Sequence, residues 1–254
     1  MRPTLSLIHR EVNAYFYSPI AYVVLAVFLA VTGHLFYLSL ELLTASGPKG
    51  VSYPMELIVN SVPFWLVFVS ISPLLTMRLF AEEQSSGTLE MLLTAPVRDW
   101  QVVFAKYVAC YGFYILMWLP TLLYLPILTD WTWWTLHCEI DPWPIVTTYL
   151  GLALAGAMFL SIGLFISSLV KSQMIAALIS LFFQLFFIVA GIWRPDMDTS
   201  GTAYNVLYFF TVPLHFERSF GRGLIDTRNL ILYGSVALLG LFLTVRSLES
   251  RRWR

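Results

Sequence analysis

The chain has 254 residues, 58% of them hydrophobic and only 12% charged, and its mean hydropathy is +0.75. Soluble domains carry about a quarter charged residues, so this composition excludes an ordinary water-soluble fold. Fifteen basic and fifteen acidic residues cancel, which removes overall basicity as a pointer to nucleic acid, and two cysteines, Cys110 and Cys138, make no disulfide framework.

Taken in chain order, Leu5, Ile8, Val12 and Tyr15 recur at helical spacing while Arg10, Glu11 and Asn13 fall on other faces, the pattern of a helix lying in the membrane interface over residues 1–19. Pro19 then turns the chain inward. A helix needs about 20 apolar residues to cross roughly 30 Å of hydrocarbon, and within it the backbone must satisfy itself internally. Runs at 20–43, 57–79, 101–129, 145–170 and 172–193 meet that length, and 227–245 completes a set of six as the shortest. The first run has no small-residue cleavage site before the next polar stretch and reads as a retained anchor. No Asp, Glu, Lys or Arg lies deep in any span, which disfavours a proton-coupled carrier; His34, in the outer half of its helix, reads as a packing residue.

Residues 80–99 form a charged interruption between the second and third spans. Leu89, Leu92 and Leu93 share one face of a short helix, an apolar knob that a partner's groove can receive. Pro96 ends that helix, Gly87 relaxes the backbone before it, and Glu82, Glu83 and Glu90 supply carboxylates for basic residues of a partner. The third-to-fourth loop holds His137, Cys138, Glu139 and Asp141, possible metal ligands by type, but they crowd one short turn with no second ligand pair, and a polar external turn explains them equally.

In the fourth span Gly151, Ala153, Ala155, Gly156, Ala157 and Gly163 form a small-residue face, read as internal helix packing. In residues 204–226 the apolar part, 204–216, reaches only about 20 Å and is too short to cross, and Pro213 interrupts it. Within them His215, Phe216 and Phe220 alternate with Glu217, Arg218, Arg222 and Asp226, and Gly221 and Gly223 break the helix, as in an external re-entrant hairpin that gates or seals the outer mouth. Six spans put both termini on one side. With the termini cytoplasmic, the inside holds ten basic and six acidic residues and the outside five and nine, as the positive-inside rule requires. Trp131, Trp133, Trp134, Trp143 and Trp193 then collect at the outer boundary, and 246–254 is a cytoplasmic tail.

The segment carrying Glu82, Glu83, Gly87, Thr88, Leu89, Glu90, Leu92, Leu93 and Pro96 resembles the cytoplasmic loop between the second and third helices of ABC-2 type transporter permeases. Three further blocks agree in order: Glu11, Phe16, Ser18, Pro19, Ile20, Tyr22 and Phe28; residues 149–177; and residues 215–229 with the closing 248–253. The likeness spans essentially the whole chain and is nearest to the gliding-motility branch.

The resemblance implies a single all-α transmembrane domain over 1–254 with an N-terminal interfacial helix, six spans, a cytoplasmic coupling helix and an external hairpin. It implies an exporter subunit in a bacterial inner membrane that moves substrate only with a separate ABC ATPase, which binds ATP and Mg; no cofactor is expected in this chain, which has no phosphate-binding G-x-x-x-x-G-K-[ST] loop. A second permease subunit, an accessory subunit with an extracytoplasmic domain and membrane lipids are the implied partners. A scaffold or assembly factor driven by the same ATPase without passing substrate is the alternative, ahead of a secondary transporter. The topology is checked by a membrane-impermeant thiol reagent on spheroplasts: it should label Cys138 and not Cys110. External access to a cysteine placed at Ser85 would overturn the six-span arrangement.

Overall fold

The computed structural model describes residues 2–46, 58–59, 61–88, 98–124, 142–192 and 208–252. Every regular element among them is helical: α1 (Arg2–Tyr17), α2 (Pro19–Ser46), α3 (Val62–Thr76), α4 (Ala81–Ser85), α5 (Asp99–Trp118), α6 (Pro142–Leu169), α7 (Gln173–Ile192), α8 (Val212–Arg218) and α9 (Thr227–Arg252). Short 3₁₀ turns follow α5 (Leu119–Leu123) and α8 (Phe220–Arg222). Five stretches are long and apolar enough to cross a membrane: Pro19–Ser39, Val62–Ser85, Asp99–Leu123, Trp143–Leu169 and Thr227–Ser250; Gln173–Val189 is a shorter apolar helix. The last span, judged shortest from its apolar run, is thus among the long ones, because α9 continues through most of the stretch read as a tail.

Helix boundaries follow local chemistry. Ser61 precedes Val62 and Pro63, and proline suits the first turn because its missing N–H would be unpaired there in any case. Arg98 is extended and its N–H donates to Gln101 Oε1 at 3.0 Å, which starts α5 at Asp99, ahead of the apolar run itself. Asp226 caps α9, its Oδ1 accepting the Arg228 N–H at 2.9 Å.

The bundle is organised around α6, against which α9, α7, α3 and α5 all pack. The small residues of α6 make this possible, and each glycine serves a different neighbour. A Cβ on Gly151 would lie 2.8 Å from the Phe220 ring, one on Gly156 would overlap the Tyr114 ring, and one on Gly163 would overlap the Thr76 hydroxyl. From the other side, Gly240 of α9 sits where a Cβ would be 2.8 Å from Ser161 Oγ. The small-residue face is therefore an internal seam of one subunit, as its spacing suggests.

Polar groups inside the bundle are matched to helix backbone. Tyr107, Tyr111 and Tyr114, on one face of α5, donate to the Ala157, Ala153 and Leu152 carbonyls of α6 at 3.0, 3.3 and 2.8 Å. Thr32, Ser39, Thr76 and Thr244 donate to carbonyls four residues back in their own helices. Around these bonds Phe68 stacks edgewise on Phe159 (5.8 Å between centroids) and Tyr114 (6.5 Å), forming an aromatic centre between α3, α5 and α6. Outward, Met174, Phe182, Phe183 and Phe186 of α7 and Ile231, Leu238 and Phe242 of α9 are exposed, the surface that acyl chains solvate.

Two glycines separate packing from helix propensity. Gly156→Ala pushes a methyl into the Tyr114 ring, whereas Gly234 has nothing within 4 Å of its would-be Cβ. At about 1–3 kcal/mol of overpacking and about 2–4 °C per kcal/mol, Gly156→Ala should lower the melting temperature in detergent by roughly 2–10 °C. Gly234→Ala should leave it unchanged or raise it, since alanine is the better helix former; equal melting of the two variants would refute the seam.

Candidate functional site

Charge concentrates where α1, α4 and α5 meet. Because α5 begins at Asp99, Lys106 lies two turns inside it and within a candidate span, although the sequence reading places no charge deep in any span. Its side chain is 3% exposed. The ammonium donates to Glu11 Oε2 of α1 at 3.2 Å and to Glu83 Oε1 of α4 at 2.7 Å, with the Phe80 ring 5.4 Å from it. Glu11 Oε1 in turn accepts from Arg10 Nη2 at 2.7 Å. Several kcal/mol of desolvation per buried ion is tolerable only with such pairing. Glu83 Oε2 is buried and has no hydrogen-bond partner among the described residues.

A second pair flanks the first. Arg78 Nε and Nη2 grip both oxygens of Glu82 at 2.9 and 3.2 Å, and Nη1 donates to Ser18 Oγ, at the α1–α2 junction, at 3.2 Å. Tyr15 of α1 donates to the Leu75 carbonyl of α3 at 3.0 Å, and burial pushes its hydroxyl pKa well up. Helix α1 is thus fastened to α3, α4 and α5.

α4 is also fastened to the end of α6. The Phe80 and Ala81 N–H groups, unpaired at the helix start, both donate to Ser167 Oγ at 3.2 Å, and Ser167 donates to the Met77 carbonyl at 3.3 Å. Gln84 Nε2 donates to the Ser168 carbonyl at 2.8 Å. Gly87 follows at φ +73°, the left-handed conformation that ends a helix and favours glycine. Thr88 Oγ1 is 2.9 Å from Ser86 Oγ. Leu89, Glu90, Leu92, Leu93 and Pro96 lie outside the described residues.

At the other end, α8 folds onto α6 and α9. Thr147 and Thr148 donate to the Phe220 carbonyl at 2.7 and 3.3 Å, Phe216 packs on Trp65 at 5.1 Å, and Gly223 reverses the chain at φ +81°. His215 is buried: Tyr208 offers only a carbonyl, so Nε2 carries the proton and donates to it at 2.8 Å, leaving Nδ1 to accept from Tyr233 Oη at 2.9 Å. Burial holds this imidazole down, to about 4, against the Tyr208 carbonyl and Asp226, which pull it up. His215 and Phe216 are therefore interior anchors; Arg218, stacked 5.3 Å from the Tyr208 ring, and Arg222 are exposed, and Asp226 is a helix cap.

No group of three His, Cys, Asp or Glu able to hold a metal occurs among the described residues, and His137, Cys138, Glu139 and Asp141 lie outside them. A family model described as ABC-2 family transporter protein matches residues 39–216. The chain belongs to the ABC-2 family. No curated protein matches it. The matched residues run from the last turns of α2 through α8, and they contain Arg78, Glu83, Lys106 and Ser167 but not α1. As an ABC-2 protein this chain is a multi-pass transmembrane component and not the ATPase; the family works with an ABC ATPase and with paired permeases.

Sequence reading selected Glu82 and Glu83 but missed their partners. Lys106 is 95 residues from Glu11 and 23 from Glu83, and Ser167 is 87 from Phe80. The one available signal was a lysine seven residues beyond a helix start. Lys106→Met removes the ammonium that bridges the two carboxylates and should cost about 3–5 kcal/mol, seen as loss of folded protein in detergent. Adding Glu11→Gln and Glu83→Gln, which takes away the stranded charges, should recover much of it; failure of the triple variant to recover would show that the pairing is not the cause.

Proposed function

We propose that this chain is the permease subunit of an ATP-driven ABC-2 exporter, in which residues 80–99 carry the closure of a separate ATPase on ATP into the bundle. The observation that supports it is the double fastening of α4: Ser167 and Gln84 bind it to α6, and Lys106 binds it to α1 and α5. A force that reaches α4 is shared with α1, α5 and α6. In this reading Leu89, Leu92 and Leu93 form the docking knob with Thr88, Glu90 and Pro96 around it. Glu82 and Glu83 anchor the loop from within through Arg78 and Lys106.

The charge asymmetry of the sequence supports placing this end in the cytoplasm of a bacterial inner membrane, with six spans and both termini inside. α7, the shorter apolar helix, is the fifth crossing in chain order and brings the number to six, and α8 with its 3₁₀ turn is the external hairpin. The hairpin acts as a seal: its buried residues plug the space between α6 and α9, and its exposed Arg218 and Arg222 are the surface an accessory subunit would meet. Two permease subunits pair with two ATPase subunits, which hold ATP and Mg. The likeness to the gliding-motility branch supports that branch and its accessory subunit. The apolar lining of the spans suits an amphiphile, a lipid-linked molecule or an extended polymer. A scaffold driven by the same ATPase without passing substrate is the second reading, and it uses the same fastening.

Replacing Leu89, Leu92 and Leu93 together with Ser removes the knob and leaves the internal pairs untouched. With about 2 kcal/mol or more per buried anchor, ATPase co-purification or substrate-dependent ATP turnover should fall more than about tenfold while membrane insertion persists. Glu82 and Glu83 to Lys should uncouple by releasing α4. Wild-type levels of both readouts in well-expressed variants would sink the coupling role.

A further inference from the structure

The charged junction borders a cleft of about 440 Å³ between α1, α2, α3 and α4. Its walls are sharply divided. Ile20, Ala21 and Val24 of α2 with Leu74 and Leu75 of α3 make one side apolar, while Glu11, Arg78, Glu82, Glu83 and Lys106 line the other. Ile20 and Leu74 are themselves 42% and 41% exposed on the outer surface of their helices, so the apolar wall is continuous with the faces that acyl chains cover. A water-filled cleft gains nothing from such a wall, and a purely apolar occupant would leave the charged side unsolvated. The division matches an amphiphile with a compact polar head.

Charge selects the head. The lining carries two bases and three acids, and Arg10, paired with Glu11, brings the junction to net zero, so a zwitterion leaves it balanced where an anionic lipid adds a negative charge. Arg78 uses three of its five N–H groups on Glu82 and Ser18, leaving two for a phosphate. On the acidic side Glu82 and Glu83 both line the cleft and keep 46% and 22% of their side chains exposed. A primary ammonium can donate to such carboxylates and a trimethylammonium cannot.

We propose that this cleft binds a membrane phospholipid with a primary-amine head, a phosphatidylethanolamine, its phosphate on Arg78, its ammonium on Glu83 and its chains along Ile20, Val24 and Leu74. The lipid sits against α1, α3 and α4 together and so fills the junction through which α4 is held. The site needs neither ATP nor an ATPase, and it rests on the membrane assignment and not on the coupling role.

The test uses the purified, delipidated full chain in detergent, with phosphatidylethanolamine, phosphatidylcholine or phosphatidylglycerol of identical chains added singly. Native mass spectrometry counts retained lipid and thermal unfolding reads stabilisation. Phosphatidylethanolamine should bind about tenfold tighter than either other lipid, the effect of one well-placed charged hydrogen bond. Ala21→Phe fills the cleft without touching its charges and should abolish that preference; Val24→Trp, at a half-buried position that tolerates bulk, does the same if Ala21→Phe fails to fold. Glu83→Gln should narrow the gap between the ethanolamine and choline lipids. Equal retention of all three lipids, tighter binding of phosphatidylglycerol, or an undiminished ethanolamine preference in both cleft-filling variants would overturn the proposal.

Discussion

A buried ammonium cannot be left alone in a membrane bundle, and the rest of the charged end depends on how Lys106 meets that constraint. Its two carboxylates come from α1 and α4, a helix that exposes Leu5, Phe16 and Tyr17 and one barely more than a turn long. Desolvating the three charges separately would cost more than either helix gains by packing. Together they form one junction that is stable only when α1, α4 and α5 are all in place, so a displacement of one is felt by the other two. A surface lysine would give no such linkage, because exposed pairs contribute about 0–1 kcal/mol.

The middle of the bundle meets the same constraint with neutral groups. Helix carbonyls have a second lone pair, and the tyrosines of α5 use it on α6 while threonines and serines use it within their own helices. The rings need room, and α6 provides it at Gly156, just as it admits Thr76 at Gly163 and the Phe216–Phe220 pair at Gly151. Close approach and polar satisfaction are therefore one design: each glycine admits a side chain from a neighbouring helix. Gln184 extends it, its amide lying 3.1 Å from both Ser72 Oγ and the Phe159 carbonyl and joining α7 to α3 and α6.

The two ends of α6 are consequently unlike. One is capped by the rigid plug of α8, where a neutral, doubly bonded His215 and the Thr147–Phe220 bond hold the turn shut. The other receives α4 through Ser167 and stands next to ion pairs and a cleft.

Much of this was legible in the sequence. Charge-free runs of about 20 residues fix helices because a bilayer admits no unpaired backbone, and the small residues of α6 announce a close-packed seam. The acidic, leucine-bearing segment after the second span marked the family, which the match over residues 39–216 shows. What the sequence could not supply were the pairings. Nothing within a few residues of Glu83 indicates Lys106, and nothing near Phe80 indicates Ser167. Hydropathy also does not show which charge near the start of a run is buried, so Lys106, near the start of the run at 101–129, stands out only once α5 brings it between Glu11 and Glu83. His215 and Phe216 carry the same lesson: their alternation with charged neighbours reads as an exposed amphipathic turn, but the glycine at 151 admits the Phe216 ring and Tyr208 and Tyr233 hold the His215 ring inside. Hydropathy is a property of each residue and survives in one dimension; partnership in a buried ion pair or a helix crossing is a property of two, and only the packed bundle brings them within reach.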